Sequence, residues 1–206
     1  MTMRVRRLAM LLSSLSEHRS GSVELEQYST DGDLAARWLA DIASYGDLAE
    51  GSTVADIGAG NGVLGLGALA MGAGRAILVE ADQAACDVAR SNAESMGFAD
   101  SVEMIQATIG SDPVDLGSAD VIISNPPWGR QTPRADRPFL EAMITAAAPA
   151  HLLHSAEATH IRSLFEDAGW SAERYGEADF ALPAAYSHHS RQRGRTRAAF
   201  WRLAPP

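Results

Sequence analysis

From residue 53 onward, short strand-forming runs alternate with segments of helical period, and this alternation constrains the fold more than any other feature. "TVADI" (53–57) is a short apolar strand, followed by "VLGLGALAMG" (63–72) as a small-residue helix. "AILVE" (76–80) is the next strand, and "DQAACDVARSNAESMG" (82–97) a helix with one polar face, stopped by Gly97. "SVEMIQ" (101–106) and "ADVIIS" (119–124) give a third and a fourth strand. Residues 136–148 are expected to be helical, 150–154 to form a fifth strand, and 157–168 a helix ending at Gly169. "TRAAFWRL" (196–203) alternates like a strand with one exposed face. Strands separated by helices pair in parallel and need cover on both sides. The expected class is α/β, a mainly parallel sheet with helices on both faces.

A chain of 206 residues suits a single domain with a substantial core. Residues 1–50 read as an N-terminal extension of one or two helices and 51–206 as the main body. "MTMRVRRLAMLLSSLSEHRS" carries basic residues beside an apolar stretch, but Leu8–Leu15 is brief and no A-x-A-like cleavage site follows. No apolar run approaches the roughly 18 residues needed to span a bilayer, so no membrane contact and a cytoplasmic location are expected. The single cysteine, Cys86, excludes a disulfide framework and a cysteine-based zinc site. The six histidines show no H-x3-H ligand spacing, and no metal site is expected. The net charge is -9, and all 17 basic residues are arginine. An acidic chain without lysine fits a halophilic protein held soluble in high salt; a coding bias toward arginine is the plainer alternative.

The strand at 53–57 runs into "DIGAGNGVLG", where two patterns overlap. Gly60-x-Gly62-x-x-Gly65 matches the dinucleotide fingerprint G-x-G-x-x-G. Asp56-x-Gly58-x-Gly60-x-Gly62 matches the loop with which methyltransferases hold S-adenosylmethionine. Both use glycine to let backbone approach a ligand at the switch point of a parallel sheet. Asp56 suits an ammonium group and would repel a pyrophosphate, which favours the methyl donor. Glu80 ends the next strand, where a carboxylate can accept both ribose hydroxyl protons of either cofactor.

"NPPWG" (125–129) follows the fourth strand, beside the expected crevice. A planar amine such as the exocyclic nitrogen of adenine is a poor nucleophile, because its lone pair is delocalised into the ring. Two acceptors aimed at its N–H groups favour a pyramidal nitrogen and release that lone pair. The Asn125 side-chain oxygen and the Pro126 carbonyl can be those acceptors. Pro126 and Pro127 bring no competing N–H and restrict the loop. Trp128 offers a face for stacking a base, worth roughly 1–3 kcal/mol. That base must be unpaired or flipped out of its helix to reach the loop.

At these residues the sequence resembles class I S-adenosylmethionine-dependent amino methyltransferases. Within them it is most similar to the archaeal and eukaryotic enzymes that methylate N6 of an adenine in small-subunit ribosomal RNA. "LEQYST" (25–30) resembles that family's L-E-Q-Y-P-T, "NPPWG" its N-P-P-F-G, and "LPAAYSHH" (182–189) its late L-P-x-[ST/A]-Y-x-x-H. The resemblance implies a Rossmann-like fold with a mainly parallel seven-stranded sheet. It implies S-adenosylmethionine contacts at Gln27, Thr30, Gly58, Asn61, Val63 and Glu80, within the loop that also carries Asp56, Gly60 and Gly62. Thr108 stands where the family has an aspartate that contacts the cofactor adenine amine. Catalysis falls to Asn125, Pro126, Pro127 and Trp128. The resemblance further implies a partner, a small zinc-binding methyltransferase activator protein that supplies its own metal. The strand at 101–106, expected at a sheet edge, is the candidate surface for it.

"SRQRGRTR" (190–197) sets Arg191, Arg193, Arg195 and Arg197 in a locally basic stretch suited to RNA phosphates, next to Tyr186, His188 and His189. Two other functions compete. A glutamine-side-chain methyltransferase of the release-factor type would act on an equally planar nitrogen. A non-catalytic cofactor-binding scaffold for ribosome assembly would need no intact N-P-P-W.

Overall fold

Strands covered on both faces must be mostly apolar, and the central strands are, with Asp56, Ser124, His151 and His154 as buried polar exceptions. Residues 4–17, 30–129, 132–181 and 195–206 are described by the structure, a computed structural model. Among the described residues, two helices precede the sheet, α1 (Val5–Leu12) and α2 (Gly32–Ser44). Asp31 caps α2 by accepting from Leu34 N–H at 2.8 Å. The body then runs β1 (Thr53–Ile57), α3 (Val63–Met71), β2 (Arg75–Glu80), α4 (Gln83–Ser95), β3 (Val102–Gln106), β4 (Val121–Ser124), α5 (Arg137–Ala146), β5 (Ala150–Ser155), α6 (His160–Asp167), β6 (Ser171–Ala181) and β7 (Arg195–Ala204).

These strands form one seven-stranded sheet, ordered β3-β2-β1-β4-β5-β7-β6. The first five pair in parallel; β7 runs antiparallel to both β5 and β6. Side chains of successive strand residues point to opposite faces, and the core divides accordingly. Ala55, Ile57, Ile122 and Leu152 pack with Leu140 and Met143 of α5 and Ile161 and Phe165 of α6. Val54, Val121 and Ile123 face α3 and the buried side of α2, where Trp38 lies 5.6 Å from the Phe200 ring. Ala76 and Leu78 pack on α3 and α4. Asp56 shares the parity of Val54 and so points toward α3.

Three expectations change. The strand at 196–203, expected to expose one face, is β7 between β5 and β6, with Ala198 and Phe200 buried on one face and Ala199, Trp201 and Leu203 on the other. The helix assigned to 157–168 begins only at His160. Residues 171–181 form a strand that was not anticipated. Its polar residues stand on an outer strand with one partner, β7, so β6 carries no long apolar run. Residues 107–120 cross from β3 to β4 without a helix, and Ile109 and Leu116 are buried there against the α5 and α6 side.

Candidate active site at the switch point

The strand order reverses between β1 and β4, so the loops leaving these two strands lie side by side. Such a point is where open α/β sheets bind ligands. Ser124 Oγ donates to Ile57 O at 2.7 Å and ties the two strand ends together. The loop after β1 turns through Gly58, Gly60 and Gly62 with φ of 77°, 54° and 82°, values that side chains resist. A Cβ at Gly60 would meet nothing within 4 Å, which leaves backbone open to a ligand there.

Glu80, at the end of β2, is largely buried. Its carboxylate accepts from Gly60 N–H at 2.9 Å and Asp82 N–H at 3.0 Å. A carboxylate offers about four acceptor sites, so these bonds hold it in place and are compatible with ribose hydroxyls. Val63 opens α3, and its N–H meets Asn61 Oδ1 at 3.3 Å. Asn61 Nδ2 donates to Ser16 O at 3.1 Å, which fastens the N-terminal segment to the loop.

Asp56 departs from its expected role. Its side chain is fully buried under α3, where Oδ2 accepts from Gly65 N–H at 2.9 Å. Burial pushes its carboxyl up to about 7; the Gly65 N–H works against that rise and the nearby Glu80 charge adds to it. A sealed carboxyl bonded to the first turn of α3 anchors the helix. It is not presented to a ligand's ammonium group.

Across the crevice Asn125 is held at both ends. Its Nδ2 donates to Thr30 Oγ1 at 3.1 Å, and its Oδ1 accepts from Trp128 Nε1–H at 3.1 Å. These bonds set which way the amide faces. Thr30 therefore holds the amide of the Asn-Pro-Pro-Trp loop. Pro126 is buried, Pro127 is half-buried, and Gly129 turns the chain away with φ 72°.

Trp128 was expected to offer an open face, but it is only 6% exposed. It stacks on His154, with centroids 6.0 Å apart and planes at 25°, and tilts against Phe180 at 4.8 Å. In this conformation the ring packs the loop down and orients Asn125. Thr108 is exposed after β3, and its N–H donates to Asp112 Oδ2 at 2.7 Å.

Arg197 is exposed and pairs with Glu177. Gln27, Arg191, Arg193, the Arg195 side chain and the LPAAYSHH segment lie outside the described residues.

Asn92 is a residue the sequence reading passed over. It is buried on α4, donates to Ser16 O at 3.1 Å and Asn61 O at 3.0 Å, and accepts from Ser16 N–H at 2.9 Å. An amide on the face that carries Ala85, Ala89 and Ala93 was the available signal. Among the described residues, no helix is long and apolar enough to cross a membrane.

Residues 30–159 match the family described as "Methyltransferase small domain". An uncharacterised protein of Methanocaldococcus jannaschii, MJ0284, is 31% identical over 196 residues, covering 90% of this chain and 87% of its own. The zebrafish (Danio rerio) rRNA N(6)-adenosine-methyltransferase METTL5 is 29% identical over 211 residues, covering 98% of this chain and 100% of its own. Among solved structures, PH1948 of Pyrococcus horikoshii, proposed to be an RNA methyltransferase, superposes with a TM-score of 0.88 at 31% identity, covering 100% of this chain and 99% of its own.

Proposed function

The chain belongs to the methyltransferase small domain family, and from that premise we propose that it moves a methyl group from S-adenosylmethionine to N6 of an adenine in small-subunit ribosomal RNA. The full-length likeness to METTL5 supports the reaction and the RNA class. The observation that carries the reading in this chain is Asn125, clamped between Thr30 and Trp128 on the loop that leaves β4, beside the glycine loop that leaves β1.

The residues present fit the cofactor. The glycine loop offers backbone at Gly60 with open space before it, and Glu80 is fixed to receive a ribose. The cofactor supplies a methyl group on a positively charged sulfur. Asn125 Oδ1 would accept one N–H of the adenine amine. The Pro126 carbonyl accepts the other. The amine, drawn pyramidal, directs its lone pair at the methyl carbon. Bound there, the cofactor would give up its methyl carbon to that lone pair, with the S–C electron pair staying on sulfur, and the nitrogen would lose one proton to water. Donors and acceptors placed before reaction act most strongly where water is excluded. The exposed Arg197 and its basic neighbours in sequence are assigned to RNA phosphates, and a cytoplasmic location goes with that substrate.

Tritiated methyl transfer to ribosomal RNA, with ribosomal and release-factor proteins as competing acceptors, tests the reaction. Asn125→Ala should abolish transfer and leave cofactor affinity nearly intact. Trp128→Phe keeps the ring but removes its N–H from Asn125, a loss of about 1 kcal/mol that should slow transfer less than about tenfold. Label appearing in protein and not in RNA would replace this reading with the glutamine-side-chain one. An Asn125→Ala enzyme of normal rate would remove the amide from the chemistry.

The zinc-bearing activator is proposed to add a strand to β3. In support, β3 is the outer strand at one edge, and Val102, Met104 and Ile105 are only half-buried. Val102→Glu should prevent co-purification of the two proteins while the chain stays folded by circular dichroism. An undiminished complex would place the interface elsewhere.

A further inference from the structure

Behind the Asn-Pro-Pro-Trp loop, three side chains from three elements converge. Asp136 precedes α5 and is 4% exposed, while His154 lies in β5 at 1%. His160 opens α6, with its side chain 49% exposed. Asp136 Oδ2 lies 3.1 Å from His154 Nε2 and 2.6 Å from His160 Nε2. Ligand-capable atoms of all three lie within 4.8 Å of one another.

We propose that Asp136, His154 and His160 bind one divalent transition-metal ion, zinc by the chemistry of its donors. Two imidazole nitrogens and one carboxylate oxygen form a set that zinc takes readily. Bonds of about 2.0–2.2 Å at tetrahedral angles put neighbouring donors roughly 3.3 Å apart. The two gaps to Asp136 Oδ2, 3.1 and 2.6 Å, lie within 1 Å of that spacing, and the two imidazole nitrogens lie within 4.8 Å of each other. Two of the ligands are nearly sealed from water, unlike the loose clusters of exposed acids on an acidic protein. The half-exposed His160 gives the ion a way in and leaves a position open to water.

The protons also permit it. Without metal, each histidine directs an Nε2–H at the same carboxylate oxygen. A histidine is locked in that form when a donor occupies its Nδ1. His154 Nδ1 has no such partner among the described residues. Its proton can move to Nδ1 and leave Nε2 for a metal, at the cost of a buried N–H without an acceptor, about 1–3 kcal/mol that the metal bond must exceed. The ion would join β5, α5 and α6 through the His154 ring that stacks on Trp128. Spacing concealed the site, because His154 and His160 are separated by five residues across a strand-to-helix turn and Asp136 lies on another element.

The competing arrangement is a hydrogen-bonded His–Asp–His cluster that takes no metal. The full chain, stripped with chelator, would be titrated with zinc by calorimetry and with cobalt by visible absorption. One equivalent should bind, and zinc should raise the unfolding temperature. His160→Ala should weaken binding by more than the roughly 10–100-fold that loss of an outer-sphere partner costs, and zinc should no longer raise its unfolding temperature. Asp136→Asn should behave alike; if this buried change unfolds the chain, the half-exposed His160→Ala carries the test. The double variant His188→Ala/His189→Ala should bind as the natural sequence does. No binding, unchanged affinity in His160→Ala, or loss in the His188/His189 variant would each overturn the assignment.

Discussion

Replacing Asp56 with asparagine should make this protein more stable at neutral pH, though it removes a residue of the glycine-loop motif. Asp56 is fully buried, and its carboxyl is pushed up from an ordinary 3.8 to about 7. The sign follows from which state holds the proton. Below pH 3.8 native and unfolded chains are both protonated there, and the site carries no penalty. As pH rises toward 7 the unfolded chain ionises while the native one keeps its proton, so native stability falls. Above 7 the loss is complete. A gap of about three pH units at 1.36 kcal/mol each makes the loss about 4 kcal/mol. Asparagine has no proton to lose, keeps the volume, and can still accept from Gly65 N–H. Denaturant unfolding of both proteins from pH 4 to 8, at constant high salt and without cofactor, gives the assay. The carboxyls of Asp47 and Asp136 are held below the ordinary range despite their burial, by hydrogen bonds from Arg202 and His151 and from His154 and His160 respectively. Their contributions are lost only as pH falls through that low range, are shared by both proteins, and cancel in the difference. The difference should move by about 4 kcal/mol in favour of the asparagine variant. Parallel curves would mean that Asp56 ionises normally in the native state.

Glu80→Ala should weaken S-adenosylmethionine binding by about 1–3 kcal/mol, the scale for lost hydrogen bonds to a charged group, with no NAD binding in either protein. Calorimetry with unchanged affinity would remove Glu80 from the site. Asn92→Ala leaves the Ser16 N–H and the Asn61 carbonyl without their amide partner and the Ser16 carbonyl with Asn61 alone, so unfolding should show a loss of about 1–3 kcal/mol and cleavage near Ser16 by protease should quicken.

The parts of this molecule visible in its sequence are those where a local pattern has a single physical use. β1, α3, β2 and α4 could be read because apolar strands and small-residue helices repeat with clear periods, and because Gly58, Gly60 and Gly62 adopt the positive φ that only glycine accepts easily. β6 could not, since an outer strand with one partner need not be apolar and Glu173, Glu177 and Asp179 hide it. The same distinction runs through the site. Asn125 was legible because an amide after a buried strand, followed by two prolines, has few structural uses. Its orientation was not, because Thr30 lies 95 residues away in the chain and Trp128 had been given to a base.

Asp56 shows the limit most plainly. A motif names a residue type and a position, and both are correct here. It does not say which way the side chain points. Strand parity does: Asp56 alternates with Ala55 and Ile57, so once those two face α5 and α6, the carboxyl must lie under α3. Anchoring α3 by its Gly65 N–H keeps the glycine loop's far end fixed, while Glu80 and Asn61 fix its near end and Asn92 ties it to the N-terminal segment. The crevice is thus held by polar groups buried around it, and those groups, more than the glycines between them, give the loop one shape in which to meet a ligand.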